Sequence, residues 1–140
     1  MTIYLDASVL VSLLADDVNT PAARRVAELD DRVVVSSWTL AECSSAFARL
    51  SRMGRLADNE RDALERDLDA WTGEPSRLIA VVTADFEKAR SFVRVSKAGL
   101  RAADALHLAV AAREALQLAT FDDVLGRAAR QFDVACIALR

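Results

Sequence analysis

The 140 residues carry 18 Lys and Arg against 21 Asp and Glu, a net charge of −3 at neutral pH. That balance lacks the basic footprint by which proteins hold nucleic acid regardless of sequence, so a polyanion would have to be met through metal ions or a local arginine cluster. With 53% hydrophobic residues, 4 Gly and 2 Pro, the chain reads as one helix-rich domain over 1–140, able to bury roughly 68–70% of its unfolded surface without staples.

Short apolar runs alternate with helical periods, the pattern of a parallel sheet covered on both faces by helices. Ile3–Leu5 is the first expected strand and Ala7–Ala15 the helix that follows it. Thr20 as N-cap, with Pro21 at the first helical position, opens a helix to about Leu29. A strand at Val33–Val35 leads to a helix over Thr39–Arg52 that stops before Gly54. Asp58–Trp71, dense in "ERDALERDLD" pairs, is a more polar helix. Leu78–Val82 is the third strand, and helices over Thr83–Ser96 and Arg101–Leu116 follow. A strand at Gln117–Ala119, a short helix from Asp122 to about Arg130 and a strand at Ala135–Ile137 complete the chain.

Cys43, Cys136 and the lone His107 are too scattered for a structural zinc site. Both cysteines sit in apolar surroundings and read as small buried hydrophobes in a reducing compartment. The apolar N-terminus has no basic flank and is interrupted by Asp6, unlike a signal peptide. No run approaches the roughly 20 apolar residues of a membrane span. A soluble, cytoplasmic protein is the expectation.

Four acids fall at element ends: Asp6 after the first strand, Glu42 and Asp104 in first turns of helices, and Asp122 after the fourth strand. Strand ends and helix starts gather on one edge of a parallel sheet, where such folds place ligands. Each acid also has a local explanation. Asp6 and Asp122 fit helix N-caps, Glu42 fits a capping box with Thr39, and Asp104 fits the helix dipole. Helical spacing sets Glu42 above Ala46 and Leu50, and Asp104 above Leu108, Ala111 and Ala115, at the ends of apolar stripes. A carboxylate there costs several kcal/mol unless a cation or donors compensate. Two unit charges 4 Å apart repel by about 4 kcal/mol at an effective dielectric of 20, so four acids together need cations or raised pKa values. An all-oxygen set selects Mg²⁺ or Mn²⁺.

"IYLDASVL", "WTLAECSSAF", "GLRAADALHLAVA" and "LATFDDVLGRAA", in this order and spacing, resemble a PIN-domain ribonuclease, specifically a VapC-type toxin. The resemblance spans nearly the whole chain. It implies an α/β three-layer sandwich with a central parallel five-stranded sheet, its first and fourth strands neighbours at the centre. It implies catalytic, metal-holding acids at Asp6, Glu42, Asp104 and Asp122, with one or two Mg²⁺ or Mn²⁺ ions. Ser8 matches a hydroxyl that supports the metal shell, and Thr120 matches the threonine of the family's T-x-D step; Asp123 is then a solvated neighbour of Asp122. The implied activity is hydrolysis of RNA phosphodiesters, by a toxin that a cognate VapB-type antitoxin blocks through a groove near the Thr39–Arg52 and Asp58–Trp71 helices. A homodimer is also implied.

Arg101, one turn before Asp104, is either a phosphate contact or a solvated residue, and His107 reads as packing or as a partner of a site acid. Trp38, Phe47 and Trp71 have spacings that favour helix packing over base stacking. Two other readings stand against the ribonuclease. A haloacid-dehalogenase-type phosphohydrolase also opens on a strand and an Asp, but needs a second Asp where Ser8 stands. A PIN-like binding module would show loss of an acid, and all four are present.

Overall fold

Three apolar residues, Ile3–Leu5, form strand β1, and their alternation builds both sides of the molecule. Ile3 and Leu5 enter one core, Tyr4 the other. The computed structural model describes residues 1–29 and 32–139. After β1 come helices α1 (Ala7–Leu14) and α2 (Thr20–Ala27), strand β2 (Val33–Ser36), and helices α3 (Ser37–Arg52) and α4 (Asp58–Trp71). A short 3-10 turn, Pro75–Arg77, leads into strand β3 (Leu78–Ile79). Helices α5 (Thr83–Val95) and α6 (Ala102–Arg113), strand β4 (Gln117–Thr120), helix α7 (Asp123–Gln131) and strand β5 (Cys136–Ala138) follow.

All strand pairings are parallel, in the order β3-β2-β1-β4-β5. Helices α1 to α4 pack on one face through Val9, Leu10, Val26, Phe47 and Leu68. Helices α5 to α7 cover the other through Phe92, Leu106, Val110, Leu125 and Ala128. This is the expected three-layer α/β sandwich, with β1 and β4 side by side at its centre. The strand order, not the strand direction, reverses at that pair: β2 and β3 lie to one side of β1, β4 and β5 to the other. A crevice therefore opens beyond the C-terminal ends of β1 and β4, the usual ligand position in such sheets.

Several local expectations shift. The third strand is Leu78–Ile79 alone, and Ala80 to Val82 lead into α5 as irregular chain. Asn19 precedes α2, while the Thr20 hydroxyl donates back to the Ser12 carbonyl at 2.7 Å, tying α2 to the end of α1. The capping box of α3 is Ser36 with Thr39, not Thr39 with Glu42. Helix α6 ends at Arg113, and Ala115 turns the chain at φ 52°. Gly54, at φ 72°, stops α3 where only glycine is unstrained. Cys43 is buried, whereas Cys136 is only half-buried on the sheet's edge strand. No described helix is long and apolar enough to cross a membrane.

Candidate active site

Asp6 is the first residue beyond β1 and caps α1, its Oδ1 accepting from the Val9 amide at 3.1 Å. The cap uses one oxygen of the carboxylate and leaves the other to further partners. Oδ1 also accepts from the Ser8 hydroxyl at 2.6 Å, and Oδ2 accepts from Thr120 Oγ1 at the end of β4. Thr120 in turn accepts from the Asp122 amide at 2.9 Å, and Ser8 Oγ accepts from the Phe121 amide at 3.1 Å. Two hydroxyls thus lace the ends of the two central strands around one carboxylate. Burial pushes the Asp6 carboxyl above the ordinary range, against the pull of His107 and of its hydrogen bonds with Ser8, Thr120 and Val9.

Asp122 is half-buried and caps α7, its Oδ1 accepting from the Leu125 amide at 2.9 Å. Asp123 is exposed on the first turn. Asp104 stands at the third residue of α6, above the buried Leu108 and Ala111. No donor among the described residues reaches its carboxylate. Burial raises its pKa, and the charges of Asp122, Glu42 and Asp6 raise it further, with His107 opposing. This mutual repulsion shows that the four acids share one region.

Glu42 arrives from α3. Its expected stripe does not face the core: Thr39, Cys43 and Phe47 do that, while Glu42, Ala46 and Leu50 are half-buried and line an open groove of about 540 Å³ beside α1. Arg49 and Arg55 border the same groove. Glu42 Oε1 meets His107 Nε2, a contact between residues 65 positions apart that sequence periodicity does not reveal. Arg101 occupies the exposed N-cap position of α6. Phe47 is fully buried, Trp38 donates from Nε1 to the Ala103 carbonyl at 3.1 Å, and the Arg77 guanidinium lies over Trp71 at 4.7 Å. All three rings pack helices.

Among the described residues, no three Asp, Glu, His or Cys side chains stand close enough to hold an ion by themselves. The donor set therefore suits an ion that keeps several waters. Mg²⁺ does so, taking one or two carboxylates and completing its shell with water and phosphate oxygens. Asp104, unpartnered and crowded by like charge, is the group that a cation would relieve most.

A PIN domain family model matches residues 3–131. The chain belongs to the PIN-domain family. Among solved structures, the PIN chain resembles FitAcB from Neisseria gonorrhoeae at a TM-score of 0.73 and 26% identity, covering 97% of this chain and 96% of that one. It also resembles VapC20 from Mycobacterium tuberculosis, a toxin described as cleaving the sarcin-ricin loop (TM-score 0.68, 22% identity, 90% and 94% covered). A third match is VapBC2 from Rickettsia felis bound to a promoter DNA fragment (TM-score 0.68, 16% identity, 100% of both chains). These neighbours are VapC and FitB toxins of toxin–antitoxin systems. No curated protein sequence matches the PIN chain.

Proposed function

We propose that this PIN protein is a Mg²⁺- or Mn²⁺-dependent endoribonuclease that serves as the toxin of a toxin–antitoxin pair. The observation that carries the reading is the unpartnered Asp104 carboxylate, set beside Asp6, Glu42 and Asp122 at the sheet's reversal point. Asp6, Glu42 and Asp104 would hold the ion directly or through water, and Asp122 would hold a second ion or orient the attacking water. When bound, the metal would supply an acidified water and stabilise charge on phosphate. Ser8 and Thr120 keep Asp6 fixed while charge moves. The Asp122 cap does the same for the start of α7. Arg49, beside Glu42 in the groove, offers a guanidinium to neighbouring phosphates. A toxin acting on cellular RNA would work in the cytoplasm.

The VapBC and FitAB neighbours support a protein antitoxin as partner. The groove lined by Val11, Glu42, Leu50 and Met53 is where an antitoxin segment would block the acids. A homodimer is supported by the apolar face of α5, where Phe86 is 57% exposed and Val93 39%, beside a groove of about 440 Å³ that Trp38 and Leu106 help to line. Phe86→Asp is expected to shift the sedimenting species to monomer.

Cleavage of a single-stranded RNA panel with Mn²⁺ or Mg²⁺, with EDTA, and by an identically prepared Asp104→Asn variant tests the activity. Metal-dependent cutting that the substitution abolishes is the expected result; cutting that survives it refutes the assignment. That no three of these side chains among the described residues could hold an ion by themselves favours one other reading, a catalytically weak or inactive PIN-fold protein-binding module. A protein that fails to bind Mn²⁺ in titration would bear that out.

A further inference from the structure

His107 and Tyr4 are polar, almost wholly buried (1% and 0% exposed), and unused by the chemistry above. Tyr4 lies mid-way along β1, pointing to the opposite core from Ile3 and Leu5. Its Oη is 2.7 Å from His107 Nδ1, 2.8 Å from Ser36 Oγ and 3.3 Å from Thr39 Oγ1. On the other side of the imidazole, Nε2 meets Glu42 Oε1. The chain thus runs from the end of β2, through β1 and α6, to a site acid on α3.

The hydrogens along it assign themselves. A carboxylate only accepts, so His107 Nε2–H donates to Glu42. With Nε2–H on Glu42, Nδ1 faces the Tyr4 hydroxyl at 2.7 Å. Burial holds the Tyr4 phenol well above its ordinary pKa, so it keeps its proton. The Tyr4 oxygen accepts from the Ser36 hydroxyl, while the Thr39 hydroxyl donates to the Leu5 carbonyl at 3.2 Å. Ser36 Oγ and Thr39 Oγ1 also accept each other's backbone amides, at 3.3 and 3.2 Å. Every polar atom is satisfied, and no buried side-chain nitrogen or oxygen among the described residues lacks a partner. With both nitrogens engaged, the ring has none left for a substrate water, which argues against a general base.

We infer that His107 is a positioning residue: anchored through Tyr4 on β1, it fixes the Glu42 carboxylate with Oε1 occupied and Oε2 free for the metal site. The inference rests on the metal-site reading proposed above. A glutamate on a half-buried helix flank otherwise samples many rotamers, and fixing one costs conformational entropy. The histidine meets that cost before any ion arrives. Groups that orient a metal-binding carboxylate typically affect metal affinity about 10- to 100-fold.

Mn²⁺ binding, followed by paramagnetic resonance on folded protein, is the test. His107→Leu is expected to weaken binding about 10- to 100-fold. His107→Gln, whose amide N–H still reaches Glu42, is expected to recover most of it. In a Glu42→Gln background, His107→Leu should add no further loss, because the two act as one unit. Unchanged affinity in His107→Leu, or full additivity with Glu42→Gln, overturns the inference. Should His107→Leu not fold, Tyr4→Phe decides, since it deletes one hydroxyl; it is expected to bind Mn²⁺ more weakly, and unchanged affinity refutes the chain. The imidazole ¹⁵N spectrum of the unsubstituted, metal-free protein gives a readout independent of metal. Nε2 is expected to carry the proton, and the opposite neutral tautomer overturns the inference. Absence of Mn²⁺ binding by the unsubstituted protein defeats the metal reading together with this one, whereas binding indifferent to position 107 defeats this one alone.

Discussion

Asp85 and Asp104 occupy the same local position, the third residue of a helix: α5 for one, α6 for the other. Local physics treats them alike, since an acid in a first turn favours the helix dipole. Their surroundings make them opposites. Asp85 is 1% exposed and fully answered: the Val82 amide donates at 2.9 Å, and Arg113 donates from Nε at 2.8 Å and from Nη2 at 3.1 Å. Arg113 also reaches the Ala80 carbonyl, so one guanidinium clamps the start of α5 to the end of α6. Asp104 has no donor among the described residues, and the charges of Asp122, Glu42 and Asp6 raise its pKa beyond what burial does, against His107. A compensated buried acid is architecture, while an uncompensated one beside others is a demand for a cation.

Substitution should separate the two. Asp104→Asn removes the charge and keeps the shape, and it is expected to lower RNA cleavage by more than about 100-fold, beyond what groups that only support a ligand cause. Folding should survive, as circular dichroism will show. A variant that cuts RNA at the unsubstituted rate would break the comparison. Arg113→Leu should do the reverse, leaving Asp85 buried without its cation. Breaking a buried pair costs about 3–5 kcal/mol; because Arg113 is 30% exposed, about 2 kcal/mol of stability is the expected loss in urea titration. Cleavage per folded molecule should be preserved, and a selective loss of activity would mean that the α5–α6 clamp also shapes the site.

The family resemblance set Asp104 apart from Asp85, but local periodicity alone does not. Periodicity shows β1 stopping on Asp6, because apolar alternation ends there, and it shows Asp104 one turn into a helix. It gives equal standing to Asp85, whose partner lies 28 residues away. The His107–Glu42 contact spans 65 residues and was invisible for the same reason. A lone histidine three residues after a site acid signals nothing until the sheet brings α3 and α6 together. Local chemistry also misplaced a cap. Both Ser36-x-x-Thr39 and Thr39-x-x-Glu42 fit a capping pattern, and the end of β2 decides for the first. That choice frees Glu42 from the helix start and leaves it available to His107. That β1 and β4 lie side by side was implied by the family resemblance, not by periodicity, and the alternation of β1, β2 and β4 between faces accounts for the two cores.

The smallest effect concerns stability, and its sign is diagnostic. Asp104 has a folded-state pKa above its ordinary 3.8, raised first by burial and then by Asp122. The folded protein therefore binds that proton more tightly than the unfolded chain does. Stability from this group is fully present below pH 3.8 and is lost as pH rises through the folded-state value. In EDTA, Asp104→Asn should melt higher than the unsubstituted protein at neutral pH, and the gap should close as pH falls toward 4. Excess Mn²⁺ should invert the order. At tenfold excess over Kd, binding adds about 1.4 kcal/mol to the unsubstituted protein, or about 3–6 °C in Tm. Asp85→Asn should melt lower than the unsubstituted protein with or without Mn²⁺, because it weakens the Arg113 ion pair and no cation is wanted there. An inversion at Asp85, or none at Asp104, would mean that the crowding of acids around α6 is not what a metal answers.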